Sequence, residues 1–172
     1  MKRNIRIQRN TVFAFGEGEA ERIFLKYLRS IYSDDKTSVK VDDAGGKNVS
    51  YILKKAVRIR GDIKYNHCFI LLDTDREWTQ ALKNKAANKG MELIGSSPCL
   101  EGLLLCILNP ENNYSHQSSN ECKKQFQDKH LHENKIITDI DCKRLFPKII
   151  IDSARTKIKT INRIMEIMRG DY

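Results

Sequence analysis

Short, almost wholly apolar runs alternate with longer segments of helical spacing, and this alternation restricts the fold more than any other feature of the chain. TVFAF (11–15) and HCFILLD (67–73) are continuously apolar, as strands covered on both faces are. SVKVDD within 38–46 and MELIGSS (91–97) predict two further strands. The order β-α-β-α-β-α-β-α over residues 1–108 therefore predicts an α/β domain with a four-stranded, mainly parallel sheet flanked by helices.

The segments between these runs have the spacing of amphipathic or buried helices. One helical face is formed after the first strand by Ala20, Ile23, Phe24, Tyr27, Leu28 and Ile31. Residues 48–60 predict a second helix, which Asn48 is suited to cap. Residues 77–90 predict a third helix, closed by Gly90, and residues 99–108 predict a buried fourth helix after Pro98.

The character of the chain changes after residue 108. Residues 109–121 are polar and rich in turn-forming residues, and short helices are predicted at 122–131 and 141–146. KIII (148–151) is interpreted as a short strand or as a simply buried segment. Residues 154–170 have the spacing of one amphipathic helix. We therefore expect residues 109–172 to form a mostly helical extension packed on the same domain.

The chain is strongly basic, with 31 Lys and Arg residues against 22 Asp and Glu residues and a net charge of +9. Such an excess favours a polyanionic partner, and a basic soluble protein without one is the alternative. The longest apolar runs are too short to cross a bilayer, and no apolar signal-peptide region follows the basic N-terminus. We therefore expect a cytoplasmic protein without a membrane partner, and an oligomer is compatible with the sequence.

The five cysteines form no CxxC pair, and their number is odd. In a chain without a secretory signal, this favours reduced thiols over disulfides. A zinc site is an alternative for part of the C-terminal half, although the spacing of its ligands would be unusual. Its ligands would be Cys122, His130, His132 and Cys142.

Carboxylates follow two of the predicted strands. Glu17 follows the first strand, and Asp73 and Asp75 lie at the end of the third. Because the carboxyl ends of parallel strands meet at one edge of a sheet, these side chains converge if the two strands are neighbours. Carboxylates at such short range repel one another unless they are protonated or share a cation. Hard oxygen ligands of this kind predict a site for Mg²⁺ or Mn²⁺.

The neighbouring acidic residues have alternative interpretations. In an extended Asp-x-Asp, Asp73 and Asp75 point to the same side, and Glu77 continues the spacing. A solvated turn in which Asp75 caps the next helix is the alternative. Glu21 lies one helical turn beyond Glu17 and either reaches the same site or complements the helix dipole. For Glu19, the dipole is the favoured interpretation.

These motifs resemble those of a known superfamily. EGEAE (17–21) after one strand and LLDTD (71–75) at the end of a later one are similar to the TOPRIM domain of primases, topoisomerases and OLD-type nucleases. GEGEAERIFLKYL and GSSPCLEGLLLCIL (95–108) resemble the RloB-like family in particular. The resemblance covers most of residues 11–108 and implies a TOPRIM-like sheet.

The resemblance also implies roles for individual residues. Glu17 matches the invariant TOPRIM glutamate, a metal ligand or general acid/base, and Glu21 matches the second acidic position of the RloB-like proteins. Asp73 and Asp75 match the metal-binding pair, and Glu101 matches the glutamate after the S-x-P-C signature. The implied catalytic residues are Glu17, Asp73 and Glu101. Family members are implied to be Mg²⁺-dependent nucleases, often encoded with an ATPase and used against phage.

Two functions follow as hypotheses. The first is a metal-dependent nuclease for DNA or RNA, in which the cation activates water and offsets phosphoryl charge. Its phosphate contacts would come from Lys47, Arg76, Arg155 and Lys157. The second is a non-catalytic module that binds nucleic acid or protein. It is motivated by the small size of the chain and by Ser97, which stands where the family usually has Asn.

Overall fold

The computed structural model describes residues 9–75, 78–131 and 136–172. The strands are β1 (Asn10–Gly16), β2 (Thr37–Asp43), β3 (His67–Asp73) and β4 (Glu92–Ser96). The helices that alternate with them are α1 (Glu19–Tyr32), α2 (Val49–Arg60), α3 (Gln80–Ala87) and α4 (Leu100–Leu108). Four more helices follow, α5 (Ser119–His130), α6 (Asp139–Leu145), α7 (Lys148–Ala154) and α8 (Lys159–Arg169). In the described part of the chain, no helix has the length and apolar content needed to span a membrane.

The four strands form one sheet in the order β2-β1-β3-β4, and every pair is parallel. Ala14 of β1 lies opposite Val41 on one side and Phe69 on the other. The predicted four-stranded α/β sheet is therefore confirmed, and so is the neighbourhood of the first and third strands. Because all strands run the same way, the residues that follow them reach a single edge of the sheet.

Successive residues of a strand point to opposite faces, and each face of this sheet is buried. Val12 and Ala14 belong to a cluster with α1, α4 and the later helices. Phe13 and Phe15 belong to a second cluster, beneath α2 and α3. All four side chains are fully buried. Burial on both faces explains why the strand sequences are continuously apolar.

The helices of residues 109–172 pack on the first face of the sheet. Phe126, Phe146 and Ile161 share the cluster that contains β1 and α1. The hydroxyl of Tyr27 donates to the carbonyl of Phe146 at 2.6 Å. The hydroxyl of Thr160 donates to the carbonyl of Gly95 in β4 at 3.0 Å. These contacts fix the helical extension against the sheet.

Three predicted boundaries were wrong. Residues 148–151 are not a strand but the start of α7, which follows Pro147 as helices often follow proline. Only Ile151 of its three isoleucines is fully buried, whereas Ile149 is 76% exposed. The single helix predicted at 154–170 is divided, and α8 begins only at Lys159. The third helix, α3, is shorter than predicted. Its N-cap is Thr79, whose side-chain oxygen accepts a hydrogen bond from the N–H of Leu82 at 3.2 Å.

Candidate metal centre

Glu17 and Asp73 meet at the carboxyl edge of the sheet. The N–H of Glu17 continues the ladder by donating to the carbonyl of Leu71 at 3.1 Å. The side chain of Glu17 then accepts a hydrogen bond at Oε2 from the N–H of Asp73, at 3.3 Å. The predicted convergence of these two residues is therefore found in the structure, and their chemical roles stay predictions.

Glu21 lies in the first turn of α1, and its side chain extends back toward the end of β1. Its Oε2 accepts the N–H of Gly18 at 2.8 Å and so caps the helix. A Cβ atom on Gly16 would lie 2.7 Å from the Cβ of Glu21, so this close approach requires glycine. Glu21 is thus both a helix cap and a buried carboxylate at the strand end. Glu19, by contrast, is exposed and pairs with Arg22 at 3.0 Å.

Asp73 is held in place by the next strand and helix. Its Oδ1 accepts the hydroxyl of Ser96 at 3.0 Å and the N–H of Leu100 at 2.9 Å. Its side chain is nearly buried, with the residue 9% exposed. Two donors from β4 and α4 therefore fix one carboxylate oxygen at the base of the site.

A cavity of about 220 Å³ opens between these elements. Five carboxylates and one lysine contribute to its wall, together with small and apolar residues. The residues that line it are Glu17, Gly18, Glu19, Ala20, Glu21, Gly46, Asp73, Glu101, Lys123 and Ile136, of which Glu19 is turned mostly to solvent. Sequence reasoning missed Lys123, because nothing in the local pattern of α5 indicates that this helix returns to the carboxyl edge of the sheet.

Burial and mutual repulsion disturb the titration of this cluster. Burial, together with the negative charges of Glu17 and Glu101, raises the pKa of Glu21 to about 7. Burial, together with the charges of Glu21 and Glu17, raises the pKa of Asp73 to about 7. Burial opposes the charge of Lys123, but the surrounding acidic groups, Glu101 first, raise the pKa of its ammonium. The cluster therefore favours any cation that enters it.

The donor set suits a hard divalent cation, since the described residues that line the cavity offer carboxylate oxygens and no thiol or imidazole. In residues 9–75, 78–131 and 136–172, no three His, Cys, Asp or Glu side chains already stand in a metal-binding arrangement. Glu21 and Glu101 would therefore turn about their side-chain bonds to share an ion with Asp73. Glutamate has the flexible side chain for this adjustment.

Asp75 does not lie where the extended Asp-x-Asp motif placed it. The chain turns at Thr74 and Asp75, so the extended conformation on which the Asp-x-Asp interpretation depends is not found. The carboxylate of Asp75 accepts a hydrogen bond from the hydroxyl of Ser119, and Asp75 is not among the residues that line the cavity. Its role as a ligand stays a prediction. Arg76 and Glu77 lie outside the described residues.

The other predicted phosphate contacts are dispersed. Lys47 is exposed beside Gly46, at the edge of the cavity. Lys157 pairs with Glu111 and does not line the cavity. Burial raises the pKa of Tyr32, and the charge of Arg155 acts against this rise, so Arg155 lies near Tyr32. Tyr32 is at the C-terminal end of α1, about 20 Å from the start of that helix. The structure thus brings only Lys47 of these three residues to the candidate site.

The alternative zinc ligands do not form a site in the described residues. Cys122 and Cys142 are fully buried, and burial raises the pKa of Cys142 to about 12. The ring of His130 packs against Phe126, and His132 lies outside the described residues. Buried thiols of this kind behave as small core residues.

Fold and site together define an α/β protein with a four-stranded parallel sheet and a carboxylate-lined cavity at the carboxyl ends of its central strands. No model of a protein family matches the chain, and neither does any curated protein or solved structure. The likeness to TOPRIM domains therefore rests on the sequence motifs.

Proposed function

We propose that the chain is a nuclease that hydrolyses phosphodiester bonds of DNA or RNA with Mg²⁺ or Mn²⁺. The observation that carries the proposal is the convergence of Glu17, Glu21, Asp73 and Glu101 on one cavity that also receives Lys123. Four carboxylates in a small volume are unfavourable for a purely structural role, since two of them are held near pKa 7. A basic chain supplies the long-range attraction for a polyanionic substrate.

The side chains of the cavity divide the work. Glu17, Glu21 and Asp73 hold the cation, which when bound lowers the pKa of water and offsets charge on the phosphoryl oxygens. Asp73 is the rigid member, because Ser96 and Leu100 fix one of its oxygens. Glu101, in the first turn of α4, accepts or returns a proton on its carboxylate oxygens. The ammonium of Lys123 binds a non-bridging phosphate oxygen.

The biological setting is proposed from the resemblance to RloB-like proteins alone. In that setting the chain acts in the cytoplasm, with an ATPase as partner, in defence against phage. The described lining of the cavity comes entirely from this chain: α1, β3, α4 and α5 supply part of it, and the loop residues Glu17, Gly18, Gly46 and Ile136 supply the rest. We therefore expect the purified chain to bind metal by itself, even if cleavage depends on the partner.

The proposal is tested by incubating the protein with plasmid DNA and with structured RNA, in the presence of Mg²⁺, Mn²⁺ or EDTA. Glu17→Gln and Asp73→Asn remove one charge each from the cavity. Glu111→Gln is the matched control, since it removes one exposed carboxylate outside the cavity. We expect metal-dependent cleavage by the wild type and the control only. Equal cleavage by all four proteins, or none by any of them with the partner present, would contradict the proposal.

One observation favours a second function, a binding module without catalysis. Among the described residues, no group of three His, Cys, Asp or Glu side chains is already arranged so that it could hold a metal ion. In that case nucleic acid would bind with strong salt dependence, and metal would change neither binding nor thermal stability.

A further inference from the structure

One face of the molecule carries positive charge with almost no negative charge. Residues 44–64 and 78–91, which form α2, α3 and the loops beside them, contain nine Lys and Arg residues and a single acidic residue, Asp62. We call these nine residues the basic face. They are Lys47, Lys54, Lys55, Arg58, Arg60, Lys64, Lys83, Lys85 and Lys89.

Within residues 9–75, 78–131 and 136–172, no ion pair neutralises a cation of the basic face. Ion pairs are found elsewhere in the described structure, on the layer of α1 and α5–α8 and the loops beside it. Their cations are Arg22, Lys143, Arg144, Lys148, Lys157, Arg163 and Arg169. None of the ion pairs described for this chain includes a residue of the basic face. Nine cations on one side, without an ion pair among the described residues, repel one another and attract a polyanion.

The basic face begins at the carboxylate cavity. Gly46 lines that cavity and donates its N–H to the carbonyl of Glu17 at 2.9 Å. Lys47 follows it, with its ammonium 4.6 Å from the centre of the Tyr51 ring. Lys54 and Arg58 continue the line along the exposed side of α2. The basic face therefore extends from the cavity along the whole of α2.

The second helix of the layer extends the same surface. The guanidinium of Arg60 donates to the carbonyl of Lys89 at 2.7 Å and joins the ends of α2 and α3. Lys85 is exposed on α3, and Lys83 lies 5.2 Å from the centre of the Trp78 ring. Tyr51 and Trp78 are thus each covered by a lysine. On the covered face of each ring, the lysine competes with an unpaired base for stacking.

We propose that the basic face binds the sugar–phosphate backbone of double-stranded nucleic acid and directs it to the carboxylate cavity. The 12 residues of α2 span about 18 Å, which corresponds to about five phosphates along one strand. Backbone contact suits a duplex because its bases are already stacked and paired. The direction of the substrate toward cleavage rests on the proposed function, whereas the binding itself does not.

The test is a fluorescence anisotropy titration of a labelled DNA duplex of about 20 base pairs, in EDTA, from about 50 to about 200 mM salt. The variant Lys54→Gln/Arg58→Gln/Lys85→Gln removes three charges from the basic face. The control Lys36→Gln/Lys129→Gln/Lys143→Gln removes three exposed charges elsewhere. We expect the first variant to lose at least about tenfold in affinity and about 2 to 3 in the slope of log K against log salt. The control should lose less than about threefold.

Equal losses in the two triple variants would overturn the proposal, and so would tighter binding to the single strand or to vesicles of anionic lipid. Measuring duplex binding and metal-dependent cleavage separately, with Glu17→Gln as the cleavage control, distinguishes this proposal from the proposed nuclease function. If the wild type binds duplex through the basic face and cleaves nothing, the proposed function fails and the binding surface stands. If the wild type cleaves and the basic-face variant binds and cleaves as well as it does, the binding surface fails and the nuclease stands.

Discussion

The N–H of Asp73 donates to the side chain of Glu17 at 3.3 Å, although the two residues are 56 positions apart. The bond joins the ends of β1 and β3, which are neighbours in the sheet. Glu21 and Glu101 line the same cavity. Parallel strand pairing thus concentrates negative charge at one edge of a basic protein.

The free protein should lose stability as pH rises through the titration of its buried carboxylates. The pKa of Glu21 is raised from 4.5 to about 7. Its contribution to the free energy of unfolding is therefore fully present below about pH 4.5 and is lost as pH rises through 7. Glu21→Gln resembles the protonated group and removes this dependence. Thermal melts in EDTA should show the variant gaining on the wild type between pH 5 and pH 8, by about 2 kcal/mol. A constant difference across this range would contradict the raised pKa.

Asp73→Asn should separate stability from metal binding. The asparagine Oδ1 can still accept the bonds from Ser96 and Leu100, while the charge that repels Glu17 and Glu21 is lost. Without metal at pH 8, we expect the variant to melt no lower than the wild type. Its cleavage rate with Mg²⁺ should fall by about 100-fold or more. A lower melting temperature together with unchanged cleavage would contradict this account.

Glu92→Gln changes a carboxylate whose pKa is lowered rather than raised, and it serves as a control for Asp73→Asn. His67 and Arg163 hold the pKa of Glu92 at about 2, against the effect of burial. This stabilisation is present above about pH 4.5 and is lost as pH falls toward 2. The variant should therefore melt at a lower temperature at pH 7 and cleave at the wild-type rate, since Glu92 does not line the carboxylate cavity. Cleavage assays and calorimetry on the same preparation check both results.

Lys123→Gln should have opposite effects on metal binding and on cleavage. Its ammonium competes with a bound cation for the charges of Glu101 and Asp73, so its loss should tighten Mg²⁺ binding by about threefold. The same ammonium is assigned to a phosphate oxygen, so cleavage at saturating metal should fall by about 10-fold to 100-fold. Metal titration and single-turnover cleavage measure the two effects separately. A parallel loss of both would indicate a structural role instead.

Two glycines two residues apart should differ in their tolerance of a methyl group. A Cβ on Gly16 would lie 2.7 Å from the Cβ of Glu21 and 3.0 Å from the N of Arg22. At Gly18 the nearest atom would be 3.5 Å away, an ordinary contact. We expect Gly16→Ala to lower the free energy of unfolding by about 1 to 3 kcal/mol, and Gly18→Ala by less than about 1 kcal/mol. Chemical denaturation of both variants checks the difference, and equal losses would contradict the tight packing of Glu21.

The strands and first helices were predictable because their signals are local. HCFILLD has the composition of a doubly covered strand, and Asn48 caps α2 as its position indicated. Glu17 and Asp73 could be paired because parallel topology places strand ends together. The place of Lys123 in the cavity and the contact of Asp75 with Ser119 could not be predicted, since both depend on how α5 packs against α4. Helices that contact the sheet through tertiary packing leave little trace of their position in the sequence.

The central claim is that the carboxylate cavity binds a divalent cation, and calorimetric titration of the purified chain with Mg²⁺ and Mn²⁺ tests it most directly. The account predicts saturable binding by the wild type and by Glu111→Gln, and its loss in Glu17→Gln and Asp73→Asn. Absence of saturable binding in the wild type, or binding that Glu17→Gln leaves unchanged, would contradict it.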